Sequence, residues 1–346
     1  MLIYIICLLS IPALSIILKL IPCRISTRHK ILCAIVGFEL FIIAAFRSTT
    51  VGIDLENYLP MFYTIAELPF KDIFSITWEP GYLIFNKLLS YISSDGRCLL
   101  IGTSLFIIVG YVTFIYKNLT SPWIGLFLFV ALGLFTNSFN IIRQSMALVI
   151  VLHSLKYIHT QEYFKYFLSI FLAALFHVTA AICFVIPIIN HLKVNLGNFT
   201  ILLLCSIIII PLIANSILSY AMQIIFSEYS LGDKSSGGFN MLIVLIVLTL
   251  ISILFSFKSN ANKLYCNMMA LACCLQIVSL QFSLFARVVT YFSSILIILV
   301  PSIVERLNST ETRIITTIMT LVIGLTYFIL VVLNNDLSGV VPYSFM

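Results

Sequence analysis

The chain has 346 residues, 61% of them hydrophobic and 9% charged, with a mean hydropathy of +1.14. A soluble domain carries roughly 25% charged residues and has no interior large enough to hide this much apolar side chain, so the composition excludes a cytosolic enzyme, a secreted domain and a disordered chain. The net charge of +6 comes from 19 basic and 13 acidic residues with no basic stripe, which argues against nucleic acid as a partner.

Apolar runs lie at 2–20, 31–46, 98–116, 122–135, 141–158, 166–189, 199–216, 239–257, 264–282, 288–304 and 314–333. About 20 apolar residues cross one bilayer. The pattern predicts an all-α, polytopic transmembrane helix bundle of about 11–12 crossings, one integral membrane domain over 1–346. The first run lacks a basic leader and a small-residue cleavage site, so it reads as a retained span. Lys19, Arg24, Arg28 and Lys30 follow it, and Lys and Arg mark cytoplasmic loops. The N-terminus is therefore expected outside, as is the long segment 47–97. Lys165 and Lys193 flank the run 166–189 and both call for the inside. The run is therefore expected to go out and return, turning near His177. Both termini then fall outside.

Two long outer segments stand out, 47–97 and 217–238, because long ordered loops on a rigid scaffold usually carry function. The first holds Arg47, Asp54, Tyr58 and the patch Trp78-Glu79-Pro80-Gly81-Tyr82. The stretch 82–92 reads as an amphipathic helix in the membrane interface. The run 141–158 opens on Asn140, Arg143 and Gln144, where a helix N-terminus supplies free N–H groups and partial positive charge. Arg287 opens the run 288–304, with Tyr291 one turn on. Arg47 closes the run 31–46.

Basic residues are disfavoured at outer helix ends, and these three arginines predict a pocket for a diphosphate, whose oxygens guanidinium binds bidentately. The plainer reading is that each one snorkels to lipid headgroups. His177 reads either as a buried, hydrogen-bonded histidine or as a proton-handling group. Glu39, in mid-run, must face the bundle interior. The nine cysteines show no metal or disulfide spacing. There is no phosphate-binding loop, zinc-protease helix or nucleophile elbow, and no metal or cofactor is expected.

At the outer patches the sequence resembles the Wzy-type O-antigen polymerases and the EpsG-like exopolysaccharide polymerases of bacteria. The matching residues are Arg47-Ser-Thr-Thr-Val-Gly52-Ile-Asp54 with Tyr58, Glu79-Pro-Gly81-Tyr82, Asn140-Ile-Ile-Arg143-Gln144-Ser-Met-Ala147, Phe176-His177, Arg287 with Tyr291-Phe292, and Pro342-Tyr343. They are spread over nearly the whole chain.

The resemblance implies a metal-independent glycosyltransferase of the bacterial plasma membrane, acting in lipopolysaccharide or other surface-glycan synthesis. It would move a growing glycan from undecaprenyl diphosphate onto a lipid-linked repeat unit at the outer face. Its partners would be that undecaprenyl-diphosphate-linked oligosaccharide, membrane lipid and a separate chain-length regulator.

Arg143, Arg287 and Arg47 would then stabilise the departing diphosphate. Glu79, His177 and Asp54 are the candidate bases, with Asp54 ranked third because it is also placed to pair with Arg47. Asn140, Gln144, Tyr58, Tyr82, Trp78 and Tyr291 are candidate sugar-binding groups. Rival readings are a glycan ligase, a transferase using a single sugar on a lipid monophosphate, and a lipid-linked sugar flippase, though no internal repeat of the transporter kind is present.

Overall fold

The computed structural model describes residues 1–213, 238–256, 260–282, 285–336 and 338–345. The protein is an all-α polytopic helix bundle. Among the described residues the only β-type pairing is a single antiparallel bridge between Arg47 and Phe345. Among the described residues, five helical stretches are long and apolar enough to cross a membrane: Leu2–Lys19, Gly96–Asn118, Lys263–Gln281, Ala286–Glu305 and Thr310–Leu333. Shorter apolar helices accompany them at Pro122–Ala131, Tyr163–Ala174, Val178–Asn190, Leu196–Leu212 and Gly238–Leu254. Most of the expected outer segment 217–238 lies outside the described residues.

The chain packs as two compact units. One comprises Met1–Ser154, Leu168–Val178 and Val300–Met346, and the other Leu155–Phe167 and Thr179–Leu299. In the first, α1 (Leu2–Lys19) and α2 (Ile25–Ala45) precede a segment that is itself helical. That segment comprises α3 (Leu55–Glu67), a 3₁₀ turn (Asp72–Ser75) and α4 (Pro80–Ser90), and it leads into α5 (Gly96–Asn118). Glu39 of α2 accepts a hydrogen bond from Ser10 of α1 at 2.8 Å, so the mid-span carboxylate does face a neighbouring helix.

The apolar run 122–135 is broken into α6 (Pro122–Ala131) and α7 (Leu134–Asn137). The break falls at Gly133, whose φ of 76° lies in the left-handed region that favours glycine. Then comes α8 (Ile142–His159), and α9 (Tyr163–Ala174) belongs partly to each unit.

The expected reversal near His177 is present. The Tyr166 hydroxyl donates to the Cys183 carbonyl at 2.6 Å, and the Phe167 and Phe184 rings sit 5.9 Å apart. A continuous helix would separate residues 166 and 183 by about 25 Å, so the chain doubles back between them. The second arm is the 3₁₀ stretch Val178–Val185 and α10 (Ile186–Asn190).

The second unit continues with α11 (Leu196–Ile213), α12 (Gly238–Ser256) and α13 (Asn260–Gln281). The run 288–304 is divided into α14 (Ala286–Ser293) and α15 (Leu296–Glu305), and α16 (Thr310–Tyr327) ends in a π-helical turn, Phe328–Leu333.

The segment between α2 and α5 has its own small core. Ile65, Ile73 and Leu83 are buried together, with Met61, Leu68, Ile76 and Trp78 packed around them. Lys87 holds the arrangement. Its ammonium is buried and donates to the carbonyls of Ile65, Ala66 and Leu68 at 3.1, 3.0 and 2.7 Å. These are carbonyls at the C-terminal end of α3, which have no partner within the helix.

Lys87→Met keeps the apolar stem and removes all three donors. Charged hydrogen bonds contribute about 1.5–3 kcal/mol each, and a buried carbonyl left alone costs as much, so stability should fall by about 3 kcal/mol or more. A thermal-unfolding comparison of the purified proteins in one detergent checks this.

Candidate active site

Glu79 closes the loop before α4, with Pro80 at the first helical position, where no N–H is needed. The backbone N–H groups of Gly81 and Tyr82 both point at the Leu175 carbonyl beyond the end of α9, at 2.8 and 3.3 Å. A Cβ on residue 81 would lie 2.7 Å from that oxygen, so only glycine lets the two backbones meet. This contact brings His177, two residues beyond Leu175, to Glu79. The His177 Nδ1–H donates to Glu79 Oε1 at 2.8 Å, and the Val178 N–H donates to the same oxygen at 3.2 Å. The other oxygen, Oε2, accepts from Arg143 Nη1 at 2.5 Å.

Glu79 and Arg143 are 14% and 15% exposed, and the His177 side chain 7%. Burial alone would raise the Glu79 pKa. The His177 hydrogen bond, the Arg143 charge and the His177 charge together outweigh it, and the carboxyl is held down to about 2.

Arg143 lies in the first turn of α8, where the helix end adds donors of its own. Its guanidinium stacks on the Trp78 ring at 4.6 Å. Trp78, Tyr58 and Tyr82 form an aromatic triad, with ring centroids 5.5 Å (Tyr58–Trp78), 5.9 Å (Tyr58–Tyr82) and 5.7 Å (Trp78–Tyr82) apart. Burial pushes the Tyr58 hydroxyl pKa up, against the Arg143 charge. Six residues singled out from the sequence therefore meet in one place: Glu79, Arg143, His177, Trp78, Tyr58 and Tyr82.

Another group of predicted residues supports that place. Asn140 is buried. Its Oδ1 accepts from the Asp54 N–H at 3.1 Å, and its Nδ2 donates to the Ser338 carbonyl at 2.5 Å. Gly52, at φ 103°, passes so close that a Cβ there would come within 3.2 Å of the Asn140 Oδ1. Asn140 thus ties the loop before α3, and with it Tyr58, to the C-terminal segment. Asp54 precedes α3 as its N-cap, and Gln144 is buried beside Arg143 on α8.

Arg47 is 2% exposed. It donates to the Ala44 carbonyl at the end of α2 and to the Phe139 carbonyl at 3.4 Å, and its guanidinium lies over the Phe139 ring at 4.5 Å. Burial lowers its pKa to about 10, so it stays charged at neutral pH. Enclosed in this way, it joins the end of α2 to Phe139 within the first unit. Arg287 opens α14 in the second unit. Its neighbour Tyr291 is fully buried, its hydroxyl accepting from Thr179 at 3.3 Å.

Sequence reasoning missed Arg97 and Lys87. Arg97 donates to the Ala45 and Arg47 carbonyls at 2.9 and 3.1 Å, closing the C-terminal end of α2. The signal for Lys87 was there: it is a lone cation in an apolar stretch.

The helix bundle and this site define a multi-pass membrane protein with a clustered carboxylate, arginine and imidazole. The EpsG family model matches residues 30–345, nearly the whole chain, and the chain belongs to the EpsG family. Membership carries a polysaccharide-polymerase-like function of the glycosyltransferase kind. No curated protein and no solved structure matches the chain.

Proposed function

We propose that the protein polymerises a surface polysaccharide, O-antigen or a similar glycan, at the outer face of the bacterial plasma membrane. It transfers a growing glycan from undecaprenyl diphosphate onto a hydroxyl of a lipid-linked repeat unit. The observation that carries this reading is the position of Glu79, which grips Arg143 with one oxygen and His177 with the other.

In the proposed reaction the bond between the anomeric carbon and the carrier's diphosphate oxygen breaks, and its electron pair leaves on the diphosphate. Arg143 neutralises that charge. Preorganised donors of this kind typically lower a barrier by about 3 kcal/mol each. The acceptor hydroxyl oxygen bonds to the anomeric carbon and its proton passes to Nε2 of His177. Glu79 is too weak a base for that task, because a carboxylate with a pKa of about 2 hardly takes a proton at neutral pH. Its role is to fix the imidazole through Nδ1, as the third member of a nucleophile–base–carboxylate set does. Trp78 and Tyr58 supply aromatic faces for sugar rings.

Surface glycan from a host lacking the protein, compared on a gel with the same host carrying the wild-type copy, tests the reading. A single repeat unit in the mutant and a ladder on complementation are expected. Absence of the repeat unit from the surface would point to a flippase or single-sugar transferase, and unattached polymer would point to a ligase.

A further inference from the structure

The segment after the π-helical turn is folded by Asp336. One oxygen of its carboxylate accepts from the Val340 N–H at 2.7 Å and the other from the Val341 N–H at 3.1 Å. Its carbonyl accepts from the Gly339 N–H at 3.0 Å. Asp336 and Gly339 both have positive φ, 38° and 57°, the backbone that so tight a turn requires. No lysine or arginine pairs with Asp336 among the described residues. Its charge is committed to backbone N–H groups, and such charge-assisted bonds are stronger than neutral ones.

The turn offers its carbonyls to the loop before α3. The Gly339 carbonyl accepts from the Gly52 N–H at 2.9 Å, and the Ser338 carbonyl from the Ile53 N–H at 3.4 Å and from Asn140 Nδ2 at 2.5 Å. The Ser338 hydroxyl donates to Asn137 Oδ1 at 2.9 Å. Further on, the segment is anchored to the first two helices. The Val340 carbonyl accepts from the Tyr4 hydroxyl of α1 at 3.0 Å, and the Tyr343 hydroxyl donates to the Ile43 carbonyl of α2 at 2.8 Å. Residues 338–345 thus form a strap across the loop.

What the strap holds matters at the site. Residues 52–54 belong to no helix. The N–H groups of Gly52 and Ile53 are met by the strap, and that of Asp54 by Asn140, which the strap also holds. The next residue, Leu55, starts α3, whose first turn carries Tyr58 to within 5.5 Å of the Trp78 ring. Glu79 and His177 are joined differently, through the contact of Gly81 with Leu175. Loosening the strap therefore frees Tyr58 and leaves the carboxylate–imidazole pair in place.

We propose that Asp336 is a positioning residue for the site: it shapes the strap that fixes the start of α3, and so sets Tyr58 against Trp78. The proposal rests on the polymerase reading above and deepens it, because these two rings are the faces assigned there to sugar rings. Asp336 acts through them on substrate binding, not on the bond-breaking step.

Two variants of the full-length protein test this in phosphatidylethanolamine–phosphatidylglycerol vesicles. Asp336→Ala removes both acceptors. Asp336→Asn keeps the shape, one acceptor and tolerance of positive φ, and it carries the test where the alanine variant fails to insert. The substrate is the lipid-linked repeat unit extracted from the host lacking the protein. Trp78 and Trp123 are the chain's two tryptophans, so in a Trp123→Phe background the emission reports on Trp78 alone.

Asp336→Ala is expected to raise KM about tenfold with kcat little changed, to shift Trp78 emission to the red and to make it easier to quench with acrylamide. Asp336→Asn should show the same changes at smaller size. Wild-type KM or wild-type Trp78 emission in both variants, or a loss confined to kcat, overturns the proposal whatever the melting temperature does. A Trp78 shift in a protein that restores no ladder on the complementation gel leaves the positioning standing and sinks the polymerase reading. A ladder together with unmoved Trp78 emission does the reverse.

Discussion

Arg143→Ala is expected to abolish the polysaccharide ladder while the protein still inserts into the membrane. Two effects add. In the proposed reaction the departing diphosphate would lose the guanidinium assigned to it, and removal of one such donor lowers rates by about 10²–10³-fold. The Glu79 carboxylate, 14% exposed, is also left with an uncompensated charge, and breaking a buried pair by removing one partner costs about 3–5 kcal/mol. At this partial exposure the lower part of that range applies. Arg143→Lys restores the charge but not the planar fork or the stacking on Trp78, so it should recover only part of the activity. Polymer length on a gel and the melting temperature of the purified variants check both effects. A normal ladder from Arg143→Ala would remove Arg143 from the chemistry.

Glu79→Gln is expected to lower polymerisation by about 10²–10³-fold, the scale on which general acid–base catalysis operates. An amide turns an N–H₂ toward either Arg143 or the His177 Nδ1–H, so one of the two contacts becomes a donor facing a donor. The imidazole then loses the Nδ1 contact that, in the proposed reaction, would hold Nε2 for the acceptor hydroxyl.

The same residue sets a pH dependence of stability. Its folded-state pKa of about 2 lies below the ordinary 4.5. A lowered carboxylate pKa stabilises the fold fully above the unfolded value, and that contribution is lost as pH falls through the folded one. The wild type should therefore lose on the order of 3 kcal/mol between pH 4.5 and 2, and Glu79→Gln should lack this phase. Melting curves across that acid range check it. Between pH 5 and 8 Glu79 stays ionised, so a bell-shaped activity profile there reports on other groups.

The patches at Glu79, Arg143 and His177 were legible in the sequence because charged and polar residues are expensive beside apolar runs and so mark themselves. Their meeting was not legible. It depends on Gly81 pressing against the Leu175 carbonyl, a backbone contact between residues 94 positions apart that periodicity does not encode. Arg47 shows the limit from the other side. At a helix end an arginine reads the same whether it is exposed or folded back on its own helix's last carbonyls, and only the fold shows Arg47 bonded to Ala44 and lying over Phe139.

Composition and hydrophobic runs alone determined that this is a polytopic helical membrane protein, because apolar length and the cost of unpaired backbone in lipid leave no other structure. The motifs pointed to the family. The tertiary structure decided which carboxylate bridges the arginine and the histidine and which arginine is enclosed. Those outcomes rest on distances between residues far apart in the chain, and a local pattern of side chains carries no such distance.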